Sequence, residues 1–207
     1  MITIRDAETG EVILQVEPVD LPGKSLEGVR LANCDFTDLD LSRVVLSYSS
    51  LRQVNFRGAA LSNATLNNTF MVNVTFDSAI MESADLSETT ISHGTFRNAT
   101  LRNAKMRYVK ITKGDLTGAD LRGANLSMAV IEGDLTGANL SNADLQGADL
   151  RAATIDRANF DGAKLANAQL IGECMTTFHA KLARVAAGLT QPAGPTKYPR
   201  RWWQPWR

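Results

Sequence analysis

The chain has 207 residues, 44% of them hydrophobic, which is enough for one ordinary domain. Lysine plus arginine and aspartate plus glutamate both number 22, so a net charge of zero excludes a general bias toward nucleic acid. No segment has the roughly 18 consecutive apolar residues of a membrane helix, and the first ten residues lack a signal-peptide pattern. We therefore expect a cytoplasmic protein.

The first predicted element is a hairpin within residues 1–22. Two isoleucines alternate with polar residues at the start, Thr9 and Gly10 supply a turn, and residues Val12–Val16 form the return strand. A repeated structure leaves unpaired strand edges at its ends, and these edges need covering. We expect the hairpin to cap the repeats that follow.

A period of five residues dominates the next segment, residues 23–175. Every fifth residue from Leu26 to Ile131 is Leu, Ile, Phe or Met, a run of 22 positions. The pattern then shifts by one residue and continues from Leu135 to Leu170 for eight more. We call these 30 positions the centres. Two residues before a centre, alanine occupies 16 of the 30 positions, and the residues flanking each centre are largely polar. Each unit thus has one large and one small inward side chain.

This A-(D/N)-L-x-x pattern resembles that of the pentapeptide-repeat family over about residues 24–172. The resemblance implies an all-β fold, a right-handed quadrilateral β-helix with four pentapeptides in each square coil of 20 residues. Thirty repeats give about seven and a half coils, a rod roughly 36 Å long at the strand spacing. The register break at 131–135 predicts a kink or a tightened corner. A tolerated deletion is the favoured interpretation of this break, and a functional site is the alternative.

Four phenylalanines test the square coil by themselves. Phe36, Phe56, Phe76 and Phe96 are spaced by 20 residues, and no other side of the coil has such a run. Centres 20 residues apart should stack, which predicts an aromatic column inside one side of the rod. The spacing favours four sides for each coil rather than three.

Beyond the repeats, residues 176–189 have helical spacing, with Phe178, Leu182 and Val185 on one face. We expect this helix to close the C-terminal end of the core. The last segment, residues 190–207, combines prolines and arginines with all three tryptophans. Its candidate interaction residues are Arg200, Arg201, Trp202, Trp203 and Trp206. The tail is open to four interpretations: it folds back or packs in a dimer, binds a partner protein, touches a membrane surface, or is disordered without function.

Catalytic chemistry finds little support in the sequence. His93 and His179 are the only histidines, and neither has a partner at metal-ligand spacing. The many aspartates recur with the repeat, which indicates a hydrogen-bonded outer surface. Cys34 falls at a small inward position, where we expect it to be buried and inert. No nucleophile, base and orienting group come together. We therefore predict no enzyme activity, no catalytic or metal site and no cofactor.

Apolar residues at outward positions are the candidate interaction residues of the rod. Tyr108 and Met128 share a corner with Tyr48, because these positions differ by multiples of 20. Phe70 and Val130 lie two residues past that corner, on the next side. Such a cluster predicts an interface, although scattered surface hydrophobic residues are also normal.

Three functions stay open at this point. The pattern favours a non-catalytic scaffold in a bacterial cytoplasm that binds an unidentified protein, with a homodimer through the C-terminal helix or the tail as one arrangement. The resemblance implies another, because some family members mimic a DNA duplex and protect DNA gyrase or topoisomerase IV. That function needs a strongly acidic rod, whereas residues 1–189 carry 18 basic and 22 acidic side chains, or −4. It is therefore disfavoured, and direct nucleic acid binding is not expected. The third is a membrane-surface protein held by the tail.

Overall fold

A computed structural model describes residues 2–5, 9–17 and 21–170 of the protein. The helix predicted over residues 176–189 and the tail at 190–207 lie outside the described residues. Within the described part, no helix occurs, and so none that could cross a membrane. All the regular structure described there is β-strand.

The N-terminal hairpin expected from the alternating isoleucines is present. Strand β1 (Ile2–Arg5) pairs antiparallel with strand β2 (Val12–Val16). Gly10 takes a positive φ of 71° in the connection, where a residue without a β-carbon is favoured. The N–H of Glu11 donates to Oγ1 of Thr9 across the turn. The role of the hairpin as a cap stays a prediction.

The repeats form a β-solenoid of about seven turns, which confirms the predicted fold class. Its strands form one parallel sheet, and most of them lie on one side of the coil, which we call the extended side: β3 (Arg30–Ala32), β4 (Ser50–Arg52), β5 (Phe70–Val72), β6 (Thr90–Ser92), β7 (Lys110–Asp115), β8 (Val130–Asp134), β9 (Asp149–Leu150), β10 (Ala153–Thr154) and β11 (Gln169–Leu170). Successive strands pair 20 residues apart, as Leu31 does with Leu51. Single parallel bridges of the same register hold the other sides, as between Asp35 and Asn55. The 20-residue coil with four sides is therefore observed.

The centres fill the inside of the rod. Every centre from Leu26 to Leu150 is buried, together with the small residues that precede most of them. The four phenylalanines stack as predicted, with ring centroids 5.3, 5.0 and 4.9 Å apart and planes within 15° of parallel. Because each ring stacks on the ring of the neighbouring coil, the column joins four coils into one apolar core.

Most corners are tight turns closed by one hydrogen bond. After Phe56, for example, the N–H of Ala59 donates to the carbonyl of Phe56 at 3.1 Å, and Gly58 takes a φ of +65°. A positive φ at the third residue is the geometry of a type II turn. The residue before each centre supports the turn from outside, as when Oδ1 of Asp115 accepts a hydrogen bond from the N–H of Thr117 at 3.0 Å. The recurring aspartates and asparagines are therefore turn-forming residues.

The corner that follows each strand of the extended side is more open. In the described rod, no such hydrogen bond closes the corners after Leu51 and Ile91. The deletion falls at this type of corner: Ile111 lies opposite Ile131, but Gly114 lies opposite Gly133. The coil loses one residue there without breaking a turn hydrogen bond, and pairing at 20 residues resumes in the following coils.

A candidate interaction edge

Four of the five large apolar side chains exposed on the described rod lie along one edge. They are Tyr48 (62% exposed), Phe70 (48%), Tyr108 (46%) and Met128 (49%), whereas Ile80 (46%) lies on a different side. We call Tyr48, Phe70, Tyr108 and Met128, together with the partly exposed Val130, the apolar edge. The structure thus brings the candidate rod residues named from the sequence to one edge: Phe70, Tyr108, Met128 and Val130.

Within this edge, Tyr108, Met128 and Val130 form the compact part. The N–H of Tyr108 donates to the carbonyl of Ser127, which places Tyr108 and Met128 at the same corner of adjacent coils. Val130 begins strand β8, two residues past that corner. Tyr48 lies three coils away from Tyr108, about 14 Å at the spacing of strands. The edge is therefore a line of apolar side chains with one dense cluster.

The backbone at this edge is unusual for such large side chains. Tyr48, Tyr108 and Met128 have φ values of +58°, +58° and +60°. A left-handed conformation costs an ordinary residue roughly 1–2 kcal/mol. Of the 28 corners with left-handed φ in the described rod, eight are asparagine and eight glycine, which suit this conformation. The other twelve are neither, and three of them, all large and apolar, lie on this one edge, which makes their exposed side chains candidates for a binding role.

Neighbouring residues hold the Tyr108 side chain and accommodate that of Met128. The guanidinium of Arg107 lies 4.7 Å from the centre of the Tyr108 ring, and its Nη2 donates to the phenol oxygen at 3.0 Å. Gly147 follows Met128 at the same corner of the next coil. A β-carbon at Gly147 would clash with Sδ of Met128, so this glycine makes room for the methionine. The Tyr108 side chain is therefore held by Arg107, and Gly147 leaves space for Met128.

Positive charge is concentrated in the coil that carries Tyr108. Six cations and no acid occur between positions 97 and 113: Arg97, Arg102, Lys105, Arg107, Lys110 and Lys113. The preceding stretch, residues 77–88, has four acids and no base, and residues 115–134 have four acids and one base. Charge of opposite sign therefore alternates from coil to coil in this part of the rod.

Half of these six cations are neutralised within the rod. Nε of Arg97 lies 2.6 Å from Oδ2 of Asp115, and Nε of Arg102 lies 2.7 Å from Oδ2 of Asp120. Nζ of Lys105 lies 3.6 Å from a carboxylate oxygen of Asp85. The other three, Arg107, Lys110 and Lys113, make no ion pair within residues 21–170. The cations that flank Tyr108 are thus the unpaired ones.

Asp120 is the most strongly paired carboxylate of this part of the rod. Arg122 hydrogen-bonds its carboxylate at 2.7 Å, and Arg102 does so from the preceding coil. The hydrogen bonds from Arg122 and then Arg102 outweigh partial burial and lower the pKa of Asp120 to about 2. This carboxylate is ionised at neutral pH and has no proton to donate.

The histidine and cysteine side chains of the described rod lie apart from one another. Within the described chain, no group of three or more histidine, cysteine, aspartate or glutamate side chains could hold a metal ion. His93 lies at an exposed corner, with a φ of +55°. The expected burial of Cys34 is wrong, since its side chain is only half-buried, in an early coil where Val29 and Leu39 are also partly exposed. That partial burial raises the pKa of the Cys34 thiol.

Inspection of the sequence missed the unpaired cations Arg107, Lys110 and Lys113. The available signal was the charge of each 20-residue coil, because the whole-chain total of zero hides the alternation. Which cations are paired depends on side-chain geometry between coils, and composition does not reveal it. The candidate tail residues, from Arg200 to Trp206, lie outside the described residues.

A family model described as pentapeptide repeats matches the chain in eight copies, over residues 25–61, 55–92, 84–123, 96–133 and 134–172. No curated protein matches the chain significantly. A trypsin-treated variant of QnrB1, a plasmid-mediated fluoroquinolone resistance protein, shares 17% identity at a TM-score of 0.51, covering 86% of this chain and 96% of that one. At this identity the likeness concerns the fold alone.

Two further solved structures are pentapeptide repeat proteins. One is HetL from the cyanobacterium Nostoc sp. strain PCC 7120, described as involved in regulating heterocyst differentiation, at 25% identity and a TM-score of 0.23. The alignment covers 72% of this chain and 88% of HetL. The other comes from the thylakoid lumen of Arabidopsis thaliana, at 26% identity and a TM-score of 0.21, covering 80% of this chain and 81% of that one.

Proposed function

Because the chain belongs to the pentapeptide-repeat family, whose solenoids are generally structural or interaction scaffolds, we propose that it is a rigid, non-catalytic scaffold that binds a protein partner through the apolar edge. The supporting observation is the placement of Tyr48, Tyr108 and Met128 at left-handed corners of one edge. Exposed aromatic side chains that are already fixed lose little entropy on binding, and they are frequent at the centres of interfaces. We place the protein in the cytoplasm.

The non-catalytic part of the proposal is supported by the uses that polar groups already have. Asp115 holds a turn, and Asp120 is bound by two arginines. The buried hydroxyls of Thr69 and Thr89 donate to carbonyl oxygens of the preceding coil at 2.9 and 2.8 Å. These side chains satisfy the rod itself, and such groups are poor candidates for proton transfer to a substrate.

A photo-crosslinking amino acid tests this proposal directly. One variant carries it in place of Tyr108, and a matched control carries it in place of Asn103, an exposed corner of the same coil with a φ of +55°. In cells that encode the protein, we expect Tyr108 to yield a specific crosslinked protein and Asn103 to yield none. The same products from both positions, or none from Tyr108, would contradict the proposal.

The tail provides the second arm of this proposal, as a further contact with the partner or as a dimer contact. Light scattering of the full chain and of a chain ending at Gly188 measures whether residues 189–207 join two copies. A dimer that becomes a monomer on truncation would assign the tail to self-association. Sedimentation with anionic vesicles tests the membrane alternative, which requires that the full chain binds the vesicles and the chain ending at Gly188 does not.

Protection of a type II topoisomerase is the second candidate function. It is favoured by the likeness of fold to QnrB1, a fluoroquinolone resistance protein. Charge disfavours it, because residues 21–170 carry 15 basic and 16 acidic side chains, a net charge of −1. A DNA duplex carries one negative charge for about every 1.7 Å of its axis. Supercoiling by DNA gyrase, with and without a fluoroquinolone, tests this function; inhibition or rescue at low micromolar protein would establish it.

A further inference from the structure

We propose that the partner presents an acidic polypeptide segment to the apolar edge, with carboxylates bound by Arg107, Lys110 and Lys113 and a large apolar side chain packed against Tyr108 and Met128. This inference rests on the proposed function, since it names the chemistry of the partner. We call these five residues the cationic–aromatic patch. The patch combines unpaired positive charge with exposed apolar surface. Four of its residues lie within positions 107–113 of one coil, and Met128 lies at a corner of the next coil.

Within the described rod, no carboxylate forms an ion pair with Arg107, Lys110 or Lys113. The 20-residue register places Lys110 between Thr90 and Val130, neither of them charged. Arg107 lies between positions 87 and 127, both serine. On the other sides of the same coil, Arg97 and Arg102 face aspartates and pair with them. The charges of Arg107 and Lys110 are therefore not neutralised by their register neighbours and are available to another molecule.

The deletion falls beside Lys113. This lysine lies at an open corner with a φ of +53°, and its side chain is exposed. In the next coil, β8 passes from Ile131 to Gly133 through Glu132 alone, so two residues of β7, Thr112 and Lys113, lie opposite one residue. The shortened corner thus offers Lys113 one fewer neighbour than a full coil would. The deletion and the unpaired cation thus coincide in one place.

The acids around the patch favour a polypeptide over a nucleic acid as its partner. Glu88 lies at the same corner as Tyr108 in the preceding coil, and Glu132 lies in the following coil. Acidic residues therefore border the patch on both neighbouring coils. Those coils lie only about 4.8 Å away. A long polyanion would place phosphates over these acids, whereas a short segment following the coil from Arg107 to Lys113 meets cations only. At about 3.3 Å for each residue, that path is at most about 20 Å long.

These dimensions describe the segment that would bind. It is about six residues long, with two or three aspartates or glutamates and at least one large apolar side chain between them. Carboxylates at the border of an interface mainly accelerate association and select the partner, and the aromatic contact supplies most of the affinity. The affinity should therefore fall with added salt without vanishing.

Selection from a random 12-residue peptide display library tests the composition without assuming a sequence. Folded full-length protein is the target, and the triple variant Arg107→Gln, Lys110→Gln, Lys113→Gln is the counter-target. The matched control is Arg43→Gln, Arg52→Gln, Arg57→Gln, which removes the same charge from exposed arginines elsewhere on the rod. Selected peptides should be enriched in aspartate, glutamate and large apolar residues. Enrichment of neutral or basic peptides, or no enrichment of acidic ones, would overturn the proposal.

Fluorescence anisotropy then measures the selected peptide against each variant. We expect the first triple variant to weaken binding about fivefold or more, since exposed ion pairs each contribute a small amount, and the control to change it less than about twofold. The probe for the other class of polyanion is a twelve-residue oligothymidylate. Tighter binding of that oligonucleotide than of the peptide would overturn the polypeptide assignment. A specific Tyr108 crosslink that is insensitive to the triple variant would contradict this inference and leave the scaffold function standing.

Discussion

Two neighbouring corners of one coil differ in chemistry while sharing a backbone. Asn103 and Tyr108 have φ values of +55° and +58°, and both follow a buried centre. Beside Asn103, Arg102 bridges Glu82 and Asp120 of the flanking coils. Beside Tyr108, the cations have no ion pair in the described rod, and the corner side chain is aromatic. The five-residue repeat dictates the backbone and the core, and it leaves the outward side chains free to complete the rod or to meet a partner.

The largest effect should come from the core that both corners share. Phe76 is fully buried between Phe56 and Phe96, so Phe76→Ala should lower the free energy of unfolding by about 3–5 kcal/mol. Phe70→Ala, at the exposed edge, is the matched control and should change it by about 0.5 kcal/mol or less. Urea unfolding measures both. Similar losses for the two variants would show that the exposed edge is part of the stabilising core.

A smaller effect should come from packing between the two inward positions of the open corner. Ile91 is followed by Gly94, and a β-carbon there would clash with Cγ2 of Ile91. Centres that are not branched at the β-carbon are followed at this corner by larger residues, as Leu51 is by Val54. We expect Gly94→Val to cost about 1–3 kcal/mol from overpacking, and Ile91→Leu to recover part of it in the double variant. Additive free energies in that double-mutant cycle would refute the pairing.

The ion pairs of Asp120 with Arg102 and Arg122 should make the stability of the fold depend on acid, whereas the apolar edge should not. The pKa of Asp120 is lowered to about 2, so its ionised form stabilises the fold above about pH 4, and this contribution is lost as the pH falls toward 2. Replacing Arg102 and Arg122 by Gln should raise this pKa toward its ordinary range. Allowing for solvent screening, the loss of stability at pH 7 is about 1 kcal/mol.

A carboxyl NMR titration of Asp120 reads this change directly, and unfolding at pH 7 and pH 2 reads its effect on stability. Arg107→Gln is the control from the apolar edge and should leave the pKa of Asp120 where it is. An unchanged pKa in the Arg102 and Arg122 double variant would show that the arginines are not responsible for lowering it.

The smallest effect concerns the corners themselves. Tyr48 is exposed and left-handed, so Tyr48→Asn should raise the free energy of unfolding by about 0.5–1 kcal/mol by relieving the backbone. The reverse change, Asn103→Tyr, should lower it by a similar amount. Thermal unfolding of the two variants provides the comparison. A loss of stability in Tyr48→Asn would mean that the tyrosine is held by contacts that outweigh its strain.

The fold was accessible from the sequence because one repeated requirement governs it. A large apolar side chain at every fifth position is buried inside a square coil. The phenylalanines stack at a spacing of 20 residues, which gives four sides for each coil. The candidate site was accessible only in part. Tyr108 and Met128 follow from position alone, since corner residues point outward and most of them are exposed. The distinction between paired and unpaired cations depends on how side chains of adjacent coils meet, as Arg102 meets Asp120, and the period does not encode it.

The most direct test of the central claim replaces both corner residues of the dense cluster, in the variant Tyr108→Asn, Met128→Asn. Its free energy of unfolding and its co-purifying proteins are measured beside those of the native chain, in extract of cells that encode it. If the apolar edge binds a partner, the variant should be as stable as the native chain or more stable, and it should lose at least one specific partner. A variant that is less stable and keeps every partner would show that these side chains serve the fold and not an interface.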